Sequence, residues 1–538
     1  MRLEKFIACL FFSMTLLIGC AIFRDYGFGT DEHYNRENGI VSLNYILNLL
    51  REHLSLTIWG SDIELVANTQ KLSQYKDRDY GVAFDLPAIV IERLLNLNSS
   101  RDQYLFRHGL TYFIFWVSTI YFYKLVKLNF KDSCVALVTV AMLYLSPRIF
   151  ADAFFNNKDI VFLSFFLIAT YYLVAFAYNS SKLNVVCFAL FSGISIDVRI
   201  IAVIFPILFL FILFLKVQTK EISIKRVIFS ILLYVVFCSS CVLVFWPWLW
   251  ADPLGNFLTA FQNMAKFRWL DWVLYRGHYY PSSSLPWHYL PIWILITTPP
   301  IYICLFLIGL ARSLYLILEG NFRNFLTTYS ITIGIMLAIC VSPIAAAIVL
   351  KSTVYDGWRQ FYFVYPSILF FSAGGISFLF DYLKKIRGGK LYFFATCLLL
   401  YGWIFNWMVK SHPYQNIYFN VLAGQNWHKQ YESDYWGLSN LRGLQHILNE
   451  SESDIVKVYG LGITSIPQAF NLLPEQDKKR IKVSQDMQSA DYILTNFRLV
   501  NNANYIAALD RLESESQTYF SVLLDEKPIL KVFRLRSP

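Results

Sequence analysis

The chain has 538 residues, of which 56% are hydrophobic and 18% aromatic against only 16% charged, with a formal net charge of +10. A soluble globular domain carries about 25% charged residues. With a mean hydropathy of +0.44, this composition excludes a disordered chain, a collagen-like fibre and a small disulfide-stapled domain, and it points to a polytopic membrane protein. The excess charge is confined. From Lys410 to Pro538 there are 14 basic and 14 acidic residues, so the whole surplus lies in residues 1–409. Basic clusters set between apolar runs follow the positive-inside rule and do not suggest nucleic acid.

Apolar runs of spanning length or nearly so lie at about 6–23, 109–126, 133–147, 160–178, 183–196, 200–215, 227–249, 289–311, 326–350, 361–380 and 391–409. They predict about eleven membrane helices. The basic groups Arg2/Lys5, Lys124/Lys127/Lys131, Lys182, Lys216/Lys220/Lys225/Arg226, Arg312/Arg323 and Lys384/Lys385/Arg387/Lys390 fall on alternate sides of successive spans. Placing them all in the cytoplasm puts the N-terminus inside. Residues 1–409 are then a transmembrane domain with outer loops 24–107, 148–159 and 250–288, and residues 410–538 form a soluble domain outside. Asp197-Val198-Arg199 interrupts the stretch 183–215, which is read as a hairpin with that triplet at the outer face. One continuous helix would bury an ion pair and invert every later loop.

The nine cysteines all lie in or beside apolar runs and give no redox or metal pattern, whereas all eight histidines map to the outer side. In the tail, 456–459, 481–483, 492–494 and 530–533 read as short strands, and 440–449 and 503–514 as helices, which predicts a small α/β domain. Neither an internal repeat nor a low-complexity segment is evident.

The polar chemistry collects in the outer loops. Asp31-Glu32, just past the first run, sets two carboxylates at the membrane–water boundary, where a general base can meet a hydroxyl at headgroup depth; a solvated acidic turn would read the same way. The second loop, from Ser146-Pro147-Arg148 to Asp152 and Asn156-Asn157-Lys158-Asp159, packs acids, bases and amides into a short link, costly near a bilayer unless paired or functional. It offers Asp152 or Asp159 as a second acid, for a metal or the acceptor, and Arg148 and Lys158 for a phosphate. The third loop carries tryptophans as an aromatic belt, with Lys266, Arg268 and Arg276-Gly277-His278 between them. Arg359, in Tyr355-Asp356-Gly357-Trp358-Arg359-Gln360-Phe361-Tyr362, stands on the outer side against the charge rule, and its forked guanidinium suits a phosphate. The sequence holds no Gly-rich phosphate loop, zinc signature or nucleophile elbow. Without a nucleotide site, an enzyme working outside needs a donor already activated on a lipid.

In order and sidedness these segments resemble the type C membrane glycosyltransferases, in the protein O-mannosyltransferase-like branch that includes the lipid A aminoarabinose transferases. The resemblance also uses Gly193-Ile194-Ser195-Ile196-Asp197-Val198-Arg199, Leu285-Pro286-Trp287-His288-Tyr289-Leu290-Pro291, His412-Pro413-Tyr414-Gln415-Asn416 and Asp434-Tyr435-Trp436-Gly437, and it suggests a bacterial member. It implies a polyprenyl-phosphate sugar donor, an inverting transfer and an extracytoplasmic site in a cell membrane. By carry-over, Asp31 is the general base with Glu32 its neighbour, Asp152 or Asp159 is the second acid, and Arg359 is a donor-phosphate ligand. Arg276, His278, Arg199, Lys158 and Arg148 are further phosphate candidates. The chain lacks the large outer-loop insertion of eukaryotic O-mannosyltransferases, so a glycolipid or polysaccharide acceptor stands beside a protein one. A divalent cation is left open. The competing readings are a transporter or flippase of lipid-linked sugars, which would place polar groups at mid-depth and show two related halves, and a polysaccharide polymerase.

Overall fold

Among the described residues each of the eleven apolar runs is mainly helical, because backbone N–H and C=O groups in hydrocarbon must be paired within their own segment. A computed structural model describes residues 2–54, 71–265, 267–319, 328–499, 502–516 and 518–535. Part of the first outer loop (55–70), the start of the run 326–350, Lys266 and Arg323 lie outside the described residues. Among the described residues nine helices are long and apolar enough to cross a membrane: Leu3–Ile22, Ser100–Phe130, Asp159–Tyr178, Ile200–Gln218, Ile224–Phe245, Pro300–Glu319, Tyr329–Val349, Arg359–Leu383 and Gly389–Lys410.

The other two runs depart from simple spans. Ser133–Tyr144 and Pro147–Phe155 meet at 65° and count as a tenth span only when taken together. Pro147 is the cause, since it has no N–H to continue the first helix and disfavours helical backbone at Ser146. Lys182–Val198 has 17 residues and ends where Arg199 turns extended (φ −146°, ψ 120°). Past that break the chain folds back: Phe188 lies 5.6 Å from Phe205 and 5.3 Å from Phe209. The stretch 183–215 is therefore a hairpin. The run 289–311 also divides, into Tyr289–Thr297 and Pro300–Glu319, at Thr298-Pro299.

Two spans approach closely through glycine. A Cβ on Gly309 would overlap the Phe371 carbonyl and come within 2.6 Å of Gly375 N, which pins Pro300–Glu319 against Tyr365–Leu383.

The loop 24–107, in which the sequence predicts no elements, contains the helices Thr30–Leu54 and Asp85–Leu94. Both are tied to the bundle by Arg107, fully buried on Ser100–Phe130. It donates to Glu92 at 2.5 Å and Asp85 at 2.7 Å, while Arg36 reaches the same Glu92 at 3.0 Å. The third loop carries a small antiparallel hairpin, β1 (Trp272–Tyr275) and β2 (His278–Pro281).

The tail forms β3 (Val456–Gly460), β4 (Ile481–Val483), β5 (Tyr492–Thr495), β6 (Thr518–Leu524) and β7 (Lys527–Arg534) in the order β4-β3-β5-β7-β6. The first three are parallel; β7 runs antiparallel to β5 and β6. β6 is the strand the sequence reading omits. The core of this sheet is built from Leu444, Ile447, Val456, Val458, Leu494, Leu530 and Val532. Tyr414, Ile417, Phe419, Trp427, Tyr431, Tyr435 and Trp436 instead bury in the core of the helical bundle. The molecule is mainly α, a bundle of membrane-length helices carrying a small C-terminal α/β domain.

Candidate active site

Asp31 and Glu32 occupy the first turn of Thr30–Leu54, where carboxylates complement the positive end of the helix. Successive helical positions are about 100° apart, and the pair diverges. Glu32 is buried: it accepts the Gly29 N–H at 2.8 Å, closing the helix start as a capping residue, and meets His108 Nε2 at 3.0 Å. Asp31 faces the other way, and its side chain keeps 38% exposure in the mouth of a cavity of about 590 Å³. The helix start is anchored to the tail through the Thr30 hydroxyl, which donates to the Trp436 carbonyl at 3.0 Å.

Arg359 opens the turn leading into Tyr365–Leu383, just after Asp356 and Gly357, both in left-handed backbone. Its guanidinium is buried among carboxylates: one terminal nitrogen donates to Asp31 Oδ2 at 3.0 Å, the other to Asp159 Oδ2 at 2.8 Å, and Nε lies 2.8 Å from Asp356 Oδ2 in an ion pair without hydrogen-bond geometry. It also stacks 4.5 Å over Trp436. Asp159 begins its own helix, takes a second guanidinium from Arg199, and is held by Asn156, whose side-chain amide donates to both Asp152 (3.2 Å) and Asp159 (3.1 Å). The starts of two spans, the turn of the hairpin and the helix after the first span thus share one end of the bundle. Burial pushes the Asp356 carboxyl up to about 7, against the pull of Arg359 and Arg148. Lys158, 3.2 Å over the Tyr80 ring, is lowered to about 8, first by burial and then by Arg199 beside it.

The cavity brings together Asp31, Lys158, Arg199 and Arg359 from the sequence candidates. Others lie elsewhere. Arg148 donates to the Tyr418 carbonyl at 3.0 Å and stacks between Phe419 and Trp293. Arg276 and His278 are exposed at the tip of the β1–β2 hairpin. Asp152 sits behind Asn156, and Glu32 behind Asp31. The cavity also has walls the sequence reading did not single out as site residues: Tyr80, Asp77, Tyr355, Arg268 paired with Asp77 and Asp79, and Tyr435 and Arg498 from the tail. Among the described residues no group of three or more His, Cys, Asp or Glu is arranged to hold a metal ion. The carboxylates around Arg359 are spaced by its nitrogens and by Asn156, so they do not fit a divalent cation.

Against this cavity lies an apolar cleft of about 290 Å³, walled by Ile200, Ile201, Trp246, Phe261, Met264 and Ala347 among others, which shares Tyr80, Arg199, Phe267 and Tyr355 with it. Asp197 closes one side by accepting the Ala83 N–H at 2.7 Å.

The family model described as dolichyl-phosphate-mannose-protein mannosyltransferase matches residues 110–249. No curated protein matches the chain by sequence. Among solved structures the chain is similar to the crystal structure of ArnT from Cupriavidus metallidurans bound to undecaprenyl phosphate, at 11% identity and a TM-score of 0.46 over 97% of each chain. It is also similar to the apo state of the same protein, at 13% identity and a TM-score of 0.44 over 98% of each chain. Over residues 110–249 the chain resembles the dolichyl-phosphate-mannose-protein mannosyltransferases, the branch that its motifs pointed to.

Proposed function

We propose that the chain is an integral-membrane glycosyltransferase that moves a sugar from a polyprenyl-phosphate donor to an acceptor hydroxyl, with inversion, on the extracytoplasmic face of a bacterial inner membrane. The observation that carries this reading is the pairing of an accessible carboxylate in a cation-lined cavity with an adjoining apolar cleft. A lipid phosphate needs both halves: hydrocarbon contact for the chain and charge-assisted hydrogen bonds for the head.

In this reading the polyprenyl chain lies in the cleft and its phosphate sits at the junction, by Arg199 and Lys158. Asp31 takes the proton from the acceptor hydroxyl. The hydroxyl oxygen attacks the anomeric carbon, the bond from that carbon to the phosphate oxygen breaks, and its electron pair leaves with polyprenyl phosphate. The cations stabilise that leaving charge in a partly dry site. Arg359 has all three nitrogens on carboxylates, so its part is to fix Asp31 and lend its charge to the departing phosphate. The acceptor is a glycolipid, polysaccharide or protein hydroxyl.

The test is to give the purified, reconstituted protein a panel of polyprenyl-phosphate sugars and measure release of polyprenyl phosphate. Release with one sugar, coupled to glycosylation of an acceptor, is expected. Passage of intact donor across the bilayer without release would instead identify a flippase, and transfer of whole repeat units a polymerase.

A further inference from the structure

The cavity has two chemically distinct ends. At one, Lys158 packs 3.2 Å over the ring of Tyr80, which lines both the cavity and the apolar cleft. At the other, Tyr435 and Arg498 of the C-terminal segment form the wall, and neither lines the cleft.

Arg498 also differs in its bonding. Arg199, Arg268 and Arg359 each hold at least one carboxylate. Among the described residues none is in ion-pair contact with Arg498, whose recorded contacts are the Tyr435 carbonyl at 3.3 Å and the Tyr435 ring at 3.7 Å. Its loop is built to hold it there. It follows the carboxyl end of β5, and ligands of parallel sheets gather at such ends. Phe497 is in left-handed backbone (φ 62°), a strained state that persists only where its surroundings fix it. Asn496 donates to the Asp434 carbonyl at 2.9 Å, and the Arg498 carbonyl accepts the Ile463 N–H at 2.8 Å.

We infer that Arg498 is a specificity-determining residue that binds an anionic group, phosphate or carboxylate, on the acceptor, so that the C-terminal domain selects negatively charged acceptors. This rests on the glycosyltransferase reading. Displacement with inversion brings the acceptor in opposite the departing phosphate, and Arg498 lines the cavity beside Tyr435 without lining the lipid cleft.

The test measures binding to the full-length reconstituted protein. The probes are undecaprenyl phosphate alone and then, with that lipid saturating, glucose 6-phosphate, glucuronate and methyl glucoside. Wild type should bind one or both anionic sugars about tenfold or more tighter than methyl glucoside, and the phosphate and carboxylate arms identify which anion is read. Arg498→Gln should erase that preference while leaving undecaprenyl phosphate affinity within about twofold, and Arg498→Lys should restore part of it. Equal binding of charged and neutral sugars by wild type overturns the inference. So does an Arg498→Gln variant, folded by thermal melting, whose loss falls on undecaprenyl phosphate instead. If wild type does not bind undecaprenyl phosphate at all, the donor reading falls and takes this inference with it.

Discussion

Among the residues of the cavity, Lys158 makes the most specific kinetic prediction. Its ammonium is lowered to about 8, so it carries charge below that pH and loses it as the pH rises through 8. A phosphate ligand of this kind predicts a donor KM that climbs above pH 8. Lys158→Met should raise that KM about tenfold at pH 7 and flatten the alkaline limb, whereas Lys158→Arg should keep the affinity and move the limb upward. Steady-state kinetics across roughly pH 6–10 would check it. An unchanged alkaline limb in Lys158→Met would remove Lys158 from the phosphate. Asp31 and Arg359 were legible in the sequence because both break an expectation, a carboxylate pair at a membrane boundary and an arginine on the wrong side. Arg498 was not, because one arginine in a soluble tail breaks none. The sequence also could not show that Glu32 turns away from Asp31, since that divergence follows from the helix Thr30–Leu54, which its composition does not announce.

Among the elements, helix positions came from composition, while their breaks and packing came from single residues. The hairpin at Asp197-Val198-Arg199 is marked in the sequence by an ion pair inside an apolar run, whereas the run 133–147 reads as a single span and the bend at Pro147 does not show in its hydropathy. The two helices of the loop 24–107 are not marked either, because Thr30–Leu54 has no strong apolar face; Asp85, Glu92 and Arg107 hold the pair from distant positions. The glycine contact between Pro300–Glu319 and Tyr365–Leu383 gives a prediction on this scale. Gly309→Leu has no room beside the Phe371 carbonyl and should destabilise the protein by about 1–3 kcal/mol or more, read as a lower melting temperature in detergent. Gly334→Ala, with nothing within 4 Å of the added carbon, should melt no lower than wild type. Equal melting of both variants would show that the two spans do not depend on that contact.

At the scale of the molecule, the bundle, its long loops and the tail converge on one end, and the cavity there draws side chains from all three. Composition and charge alternation announced the helical bundle and its small α/β appendage. They could not announce that 414–438 would bury in the bundle, since the tail's aromatic residues look like the core of any soluble domain. The account depends on one carboxylate acting as a base in that shared cavity. The most direct test compares wild type with Asp31→Asn, both reconstituted and equally folded, for polyprenyl phosphate released from the sugar donor that wild type accepts. Release slowed by about 10²-fold or more, with donor binding retained, is the predicted result. An Asp31→Asn protein that releases the lipid at the wild-type rate would contradict it.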